Sequence, residues 1–151
     1  MVKRALIFVA VLSIALADLS IDARHAAAAE DGVAIIVNKA NPTADLTLAD
    51  AKKIFMGDKS TWPNGKRITV LMLAQGQPER AVVLRVIYKM SEADYGKYFL
   101  QAAFTGKVSA PPKDVASPAV VKGEVGANPG AVGYVKASEA DDSVKIVLKI
   151  S

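Results

Sequence analysis

Apolar positions along this chain follow two spacings. Gly32 to Val37 reads GVAIIV, an unbroken run bounded by Asn38 and Asn41-Pro42. Such a run suits a strand covered on both faces. Ile68 to Leu73 (ITVLML) predicts a second buried strand. Between the two, Thr47-Leu48-Ala49-Asp50 has the form of a capped helix start, with Thr47 as the cap. Leu48, Ala51 and Phe55 then recur at helical spacing, and Gly57 stops the helix. Pro78 fits the first position of a further helix. Its predicted inner face is Val82, Val83, Val86, Ile87 and Met90. Tyr95, Tyr98, Phe99, Ala102 and Ala103 share the face of the next helix, which Gly106 ends.

Beyond that point, Pro111-Pro112 marks an extended loop. Ser117-Pro118 opens a helix running to about Gly126, and Asn128-Pro129-Gly130 is a turn. Ala131 to Val135 predicts a strand. In Val144 to Ile150, Val144, Ile146, Leu148 and Ile150 alternate with Lys145 and Lys149. The expected order is β-α-β-α-α-α-β-β, an α/β fold with a mixed sheet flanked by helices.

The first 29 residues do not fit this pattern. Lys3 and Arg4 precede the apolar run Ala5 to Ala17, and small residues follow, as in a secretory signal peptide. The run is shorter than the about 20 residues a spanning helix needs. Two A-x-A sites compete, Ala15-Leu16-Ala17 and Ala27-Ala28-Ala29. The second is preferred, because the first strand-like run begins only near Val33; an uncleaved amphipathic anchor is the alternative. Residues 1–29 are thus expected to be a signal peptide, and 30–151 a periplasmic or secreted domain.

That division alters the inventory of chemistry. The whole chain holds 19 Lys and Arg, 15 Asp and Glu, one histidine and no cysteine, for a net charge of +4. Residues 1–29 contain three of the basic and two of the acidic residues, together with His25, so the remainder carries +3 and no histidine. Disulfides, thiolate chemistry and cysteine metal sites are excluded, and a serine–histidine pair has no histidine to use. There is no dinucleotide or P-loop fingerprint. Scattered lysines and 6% aromatic residues argue against a nucleic-acid partner. Glu139, Asp141 and Asp142 read as a solvated turn rather than a metal site. Neither catalytic residues nor a cofactor are expected.

One segment suggests a ligand. The strand Ile68–Leu73 passes through Gln75-Gly76-Gln77 into a helix, a junction that points backbone N–H groups at an anion. Arg80 in the first turn can add a forked, charge-assisted contact. In the plainer reading Gly76 is only a turn and Arg80 a solvated first-turn residue. Glu79, beside Arg80, would repel an anion.

Several segments resemble phosphate ABC transporter substrate-binding proteins. Ile54-Phe55-Met56-Gly57 followed by Trp62-Pro63-Asn64-Gly65 resembles their "IF-x-G … W-x-N-G" segment. Phe104-Thr105-Gly106-Lys107, Pro111-Pro112, Ser117 and Val125 through Val135 extend the likeness. The last is similar to the family's "V-x-x-N-P-G-A-I-G-Y" turn and strand. The resemblance implies a single lobe of a type II periplasmic-binding-protein-like fold. It also implies a phosphate-holding turn: Gly76 and Arg80 match the "G-S-x-T-R" form, with Gln77 in the serine's place and Glu79 in the threonine's. Two hydroxyl donors are thereby replaced by an amide and an acid. Asn128 lies near the cleft side in the family. The implied ligand-binding residues are therefore Gly76, Gln77, Arg80 and Asn128.

The resulting expectation is an exported solute-binding protein taking phosphate or another small oxyanion weakly, with an ABC permease or membrane sensor as partner. The alternative is a ligand-free interaction module that docks on such a partner or pairs as a homodimer.

Overall fold

The computed structural model describes residues 32–151; the expected signal peptide lies outside them. Five strands, β1 (Val33–Val37), β2 (Thr69–Leu73), β3 (Lys113–Val115), β4 (Ala131–Lys136) and β5 (Lys145–Ile150), form one sheet in the order β3-β2-β4-β1-β5. β2 runs parallel to β3 and β4, while β1 is antiparallel to β4 and β5. The sheet is therefore mixed, as expected. The helices are α1 (Leu48–Phe55), α2 (Pro78–Val83), α3 (Glu92–Phe104) and α4 (Pro118–Ala127).

Each main element follows from its residues. All five residues of β1 are buried, as an uninterrupted β-branched run requires of a strand paired on both sides. The caps are those read from the sequence: the Thr47 and Ser117 side chains accept from Asp50 N and Val120 N. Ser91 likewise caps α3, accepting from Asp94 N. Side chains alternate across a strand, and β4 uses the two sides differently. Gly133 lies under α4, where an added Cβ would sit 2.6 Å from Val121 Cγ1. Tyr134 faces the other way, its ring 6.4 Å from that of Phe55 on α1. Thus α4 covers one face, and an aromatic cluster of Phe55, Tyr88, Tyr95 and Phe99 packs over the other.

Three expectations are corrected. α2 does not continue as an α-helix to Met90. Its second half, Leu84–Tyr88, is a π-helical turn closed by Lys89 in the left-handed region at φ 57°. Its wider winding changes which side chains point inward, so Val83, Leu84, Ile87 and Tyr88 are the buried residues; Val82, Val86 and Met90 are only half-buried. Tyr88 donates from its hydroxyl to the Phe55 carbonyl at 3.0 Å, so it belongs to the core. In β5 the even alternation is broken by a bulge. Ile35 pairs with Leu148 and Ile36 with Ile146, leaving Val147 as the extra residue. Its carbonyl accepts from Leu46 N at 2.8 Å, and Val147 rather than Ile146 or Leu148 is buried. Finally, the Pro111-Pro112 loop leads into a short parallel edge strand, β3, that apolar patterning does not signal because two of its three residues are charged.

Candidate functional site

The parallel strands β3, β2 and β4 all finish at one edge of the sheet, the position where open α/β sheets bind ligands. β2 hands over there to the turn Ala74 to Gln77. Ala74 N donates to Val115 O at 2.9 Å, tying this turn to the end of β3. Gly76 has φ 89°, a conformation glycine adopts readily. Gln77 precedes α2 in an extended conformation and makes no side-chain cap, and Pro78 opens the helix. A cavity of about 680 Å³ lies against this turn, lined among others by Gly76, Gln77, Glu79, Arg80, Met90 and Glu92.

Arg80 is not a solvated surface residue; it is 2% exposed. Its guanidinium is held from three sides. Nε donates to both Glu92 oxygens at 3.0 and 3.1 Å. One terminal nitrogen donates to the Leu73 carbonyl at 2.7 Å and to Asp114 Oδ1 at 3.0 Å. The other bonds Glu92 Oε1. The guanidinium carbon also lies 5.1 Å from the centre of the Tyr95 ring. Burial works to lower the guanidinium pKa, but the hydrogen bonds to Glu92 and Asp114 outweigh it and hold the value above the ordinary one. Arg80 is thus a permanent cation whose partners belong to its own chain. Burial also pushes the neighbouring Tyr95 phenol up to about 12.

The four residues singled out by the sequence do not converge. Gly76, Gln77 and Arg80 lie together at the finishing edge of β2. Asn128 precedes β4, which runs parallel to β2, so it stands at the opposite edge. There its Oδ1 accepts from Gly130 N at 2.9 Å, closing the Asn-Pro-Gly turn. Trp62 packs at that same edge, 2% exposed, and donates from Nε1 to Gly130 O at 3.0 Å. The acidic turn after β4 is held locally: Asp141 accepts from Ser143 N at 3.0 Å and from Lys122 Nζ at 3.1 Å. Bonds to the Ser143 side chain and backbone, followed by Lys122, hold its carboxyl near 2.

Sequence reasoning missed Glu92 and Asp114. Glu92 stood in view as the first residue after the Ser91 cap, but nothing in the spacing ties it to Arg80, 12 positions earlier. Asp114 is brought in by β3, the strand that patterning does not reveal.

Comparison with known proteins places the fold in a family. The chain aligns at 25% identity and a TM-score of 0.63 with an ABC-type phosphate transport receptor from Vibrio cholerae, over 78% of this chain and 45% of that one. A Clostridium perfringens protein assigned as a phosphate ABC transporter substrate-binding protein, with phosphate bound, aligns at 26% identity and a TM-score of 0.62, over 78% and 44%. PstS from Borrelia burgdorferi shares the fold at 13% identity and a TM-score of 0.60, over 78% and 46%. The chain therefore spans less than half the length of these structures and corresponds to a single lobe. Among curated proteins, no sequence matches it. The family model described as the PBP superfamily domain matches residues 9–148. With nearly the whole chain covered, this protein belongs to that family of periplasmic-binding-protein-like domains.

Proposed function

We propose that this chain is an exported, non-enzymatic solute-binding lobe that works with an ABC permease and takes its solute in the crevice beyond the finishing ends of β2 and β4. The observation that carries this reading is a cavity of ligand size at the strand ends of a chain 25% identical to a phosphate transport receptor. Gly76, Gln77 and Arg80 lie at the wall of this crevice, and Asn128 has no part in it.

Phosphate is at best a weak ligand here. Glu92 and Asp114 already occupy the Arg80 donors that an oxyanion would use, and their charges repel it. A single lobe also leaves an ion largely in water, where its interactions are weak. Calorimetry separates the possibilities. The wild-type protein should bind phosphate no tighter than about 1 mM, an affinity of about 4 kcal/mol. Combining Glu92→Gln with Asp114→Asn should tighten it about tenfold by freeing a permanent cation. No heat from either protein with phosphate, sulfate or acetate would remove oxyanions from consideration.

A second reading has its own observation. Leu100 and Phe104, four residues apart on α3, are 63% and 86% exposed. Together with the self-satisfied Arg80 they favour an interaction module that docks on a membrane sensor, a permease or a second copy. A strict monomer in sedimentation, with no crosslinked partner in the periplasm, would count against it.

A further inference from the structure

The starting edge of β2 carries a second cavity, of about 270 Å³. It opens beside a gap in the sheet. β3 pairs with β2 only from Leu71, opposite Lys113, and the Pro111-Pro112 stretch before it joins no ladder. Backbone N–H groups alternate in direction along a strand. Thr69 N donates to Gly130 O on the β4 side, and Ala74 N to Val115 O on the β3 side. From Thr69 to Ala74, even-numbered amides thus point toward β3. The Val70 N–H points ahead of where β3 begins and meets no acceptor among the described residues. Val70 and Pro111-Pro112 all line the cavity.

Two kinds of side chain surround this space. Ile54 and Phe55 of α1, Phe99 of α3 and Val108 are buried and form its inner wall. Lys59, Ser60, Arg67, Thr69 and Ser109 are half-buried or exposed and stand at its mouth. No carboxylate lines it; Asp58, next to Lys59 in sequence, does not. Neither Lys59 nor Arg67 has an ion-pair partner among the described residues. One terminal nitrogen of Arg67 donates to Ser109 Oγ at 2.7 Å, which leaves the rest of its fork unengaged among these residues. The finishing-edge crevice, by contrast, sets Glu79 and Glu92 against Arg80 and Arg85, a balanced set. Two unpaired cations, a spare N–H and hydroxyls together suit a carboxylate. The aromatic inner wall suits a hydrocarbon attached to it.

We propose that this cavity binds a small amphipathic anion: a carboxylate held by Arg67, Lys59 and the Val70 N–H, on a short hydrocarbon packed against Phe55, Phe99 and Val108. Both cations reach water, so each contributes modestly and salt weakens the site. Amide NMR of the protein, titrated at constant ionic strength with butyrate, n-butanol, n-butylamine and inorganic phosphate, tests this. Butyrate should shift the Gly57, Val70 and Val108 amides saturably and leave those of Gln77 and Glu92 in the crevice unmoved. Butanol should bind about tenfold more weakly, the share due to the charged head. Arg67→Gln and Lys59→Gln, which leave the core untouched, should each weaken butyrate about fivefold. The double variant should bind butyrate no better than butanol. Butyrate binding that survives both substitutions, or that butanol or butylammonium equals, would overturn the proposal. Phosphate saturating the same amides more tightly than butyrate would overturn it too, since the apolar wall would then play no part. If no probe moves these amides, the cavity is not a ligand site. Each outcome leaves the crevice to be judged separately, by its own amides at the opposite edge.

Discussion

At the starting edge of β2 and β4, contacts run through the backbone; at their finishing edge, they run between charged side chains. Gly130 is the centre of the first. Its carbonyl accepts from both Trp62 Nε1 and Thr69 N at 3.0 Å, its N–H is bound by Asn128, and an added Cβ would lie 2.2 Å from the Arg67 carbonyl. At the second edge, Gly76 has open space around it and the bonds that matter join Arg80 to Glu92 and Asp114. The Trp-Pro-Asn-Gly and Asn-Pro-Gly segments that carry the resemblance to phosphate receptors belong to the first edge. They hold two loops together whatever the opposite edge binds. The segments that carry the family likeness and the proposed solute crevice are thus built from different residues, and one can change while the other persists.

The largest expected effect tests the starting edge. Gly130→Ala forces backbone apart in a place that cannot relax by moving a side chain. It should destabilise the protein by about 3 kcal/mol, the upper range for overpacking. Urea denaturation measures this, and a loss under about 1 kcal/mol would show that the edge tolerates ordinary surface substitution. At the finishing edge, Arg80→Met leaves Glu92 and Asp114 facing each other without their cation. Their side chains are 37% and 69% exposed and can regain water. The cost should therefore be about 2 kcal/mol, below that of breaking a fully buried pair. Adding Glu92→Gln to Arg80→Met should recover part of the loss, giving a coupled double-mutant cycle. Additive losses would mean that the cluster does not act as a unit.

Legibility in the sequence divides along the same line. Local rules expose the scaffold: β1 from its β-branched run, α1 and α4 from Thr47 and Ser117, and the turn at Asn128-Pro129-Gly130 from its composition. Mixed-sheet architecture follows from their order. What escapes is set by tertiary contacts. The π-helical turn moves Tyr88 inward because its ring fits among Phe55, Tyr95 and Phe99. The β5 bulge exists because Leu46 N takes the Val147 carbonyl. At the site, Gly76 and Arg80 are visible as a strand–turn–helix junction, but the carboxylates that neutralise Arg80 come from α3 and from β3. No spacing rule links positions 80, 92 and 114. Asn128 is a turn residue by composition, and the parallel pairing of β2 with β4 puts it at the wrong edge for the crevice.

Gly76→Ala gives the smallest effect and the sharpest contrast with Gly130. At φ 89° the substitution meets the backbone penalty of an L-residue in left-handed space, about 1–2 kcal/mol. No heavy atom lies within 4 Å of the added Cβ, so no packing cost adds to it. Gly76→Asn should lose less than Gly76→Ala, because asparagine visits that region more readily. Both variants should keep the Arg80 cluster, whose atoms they do not touch, and so keep an unchanged ring-current environment at Tyr95 in proton NMR. A Gly76→Ala loss as large as that of Gly130→Ala would mean that the finishing edge is braced by its backbone as the starting edge is. The turn would then be scaffold, as the Asn128-Pro129-Gly130 turn is.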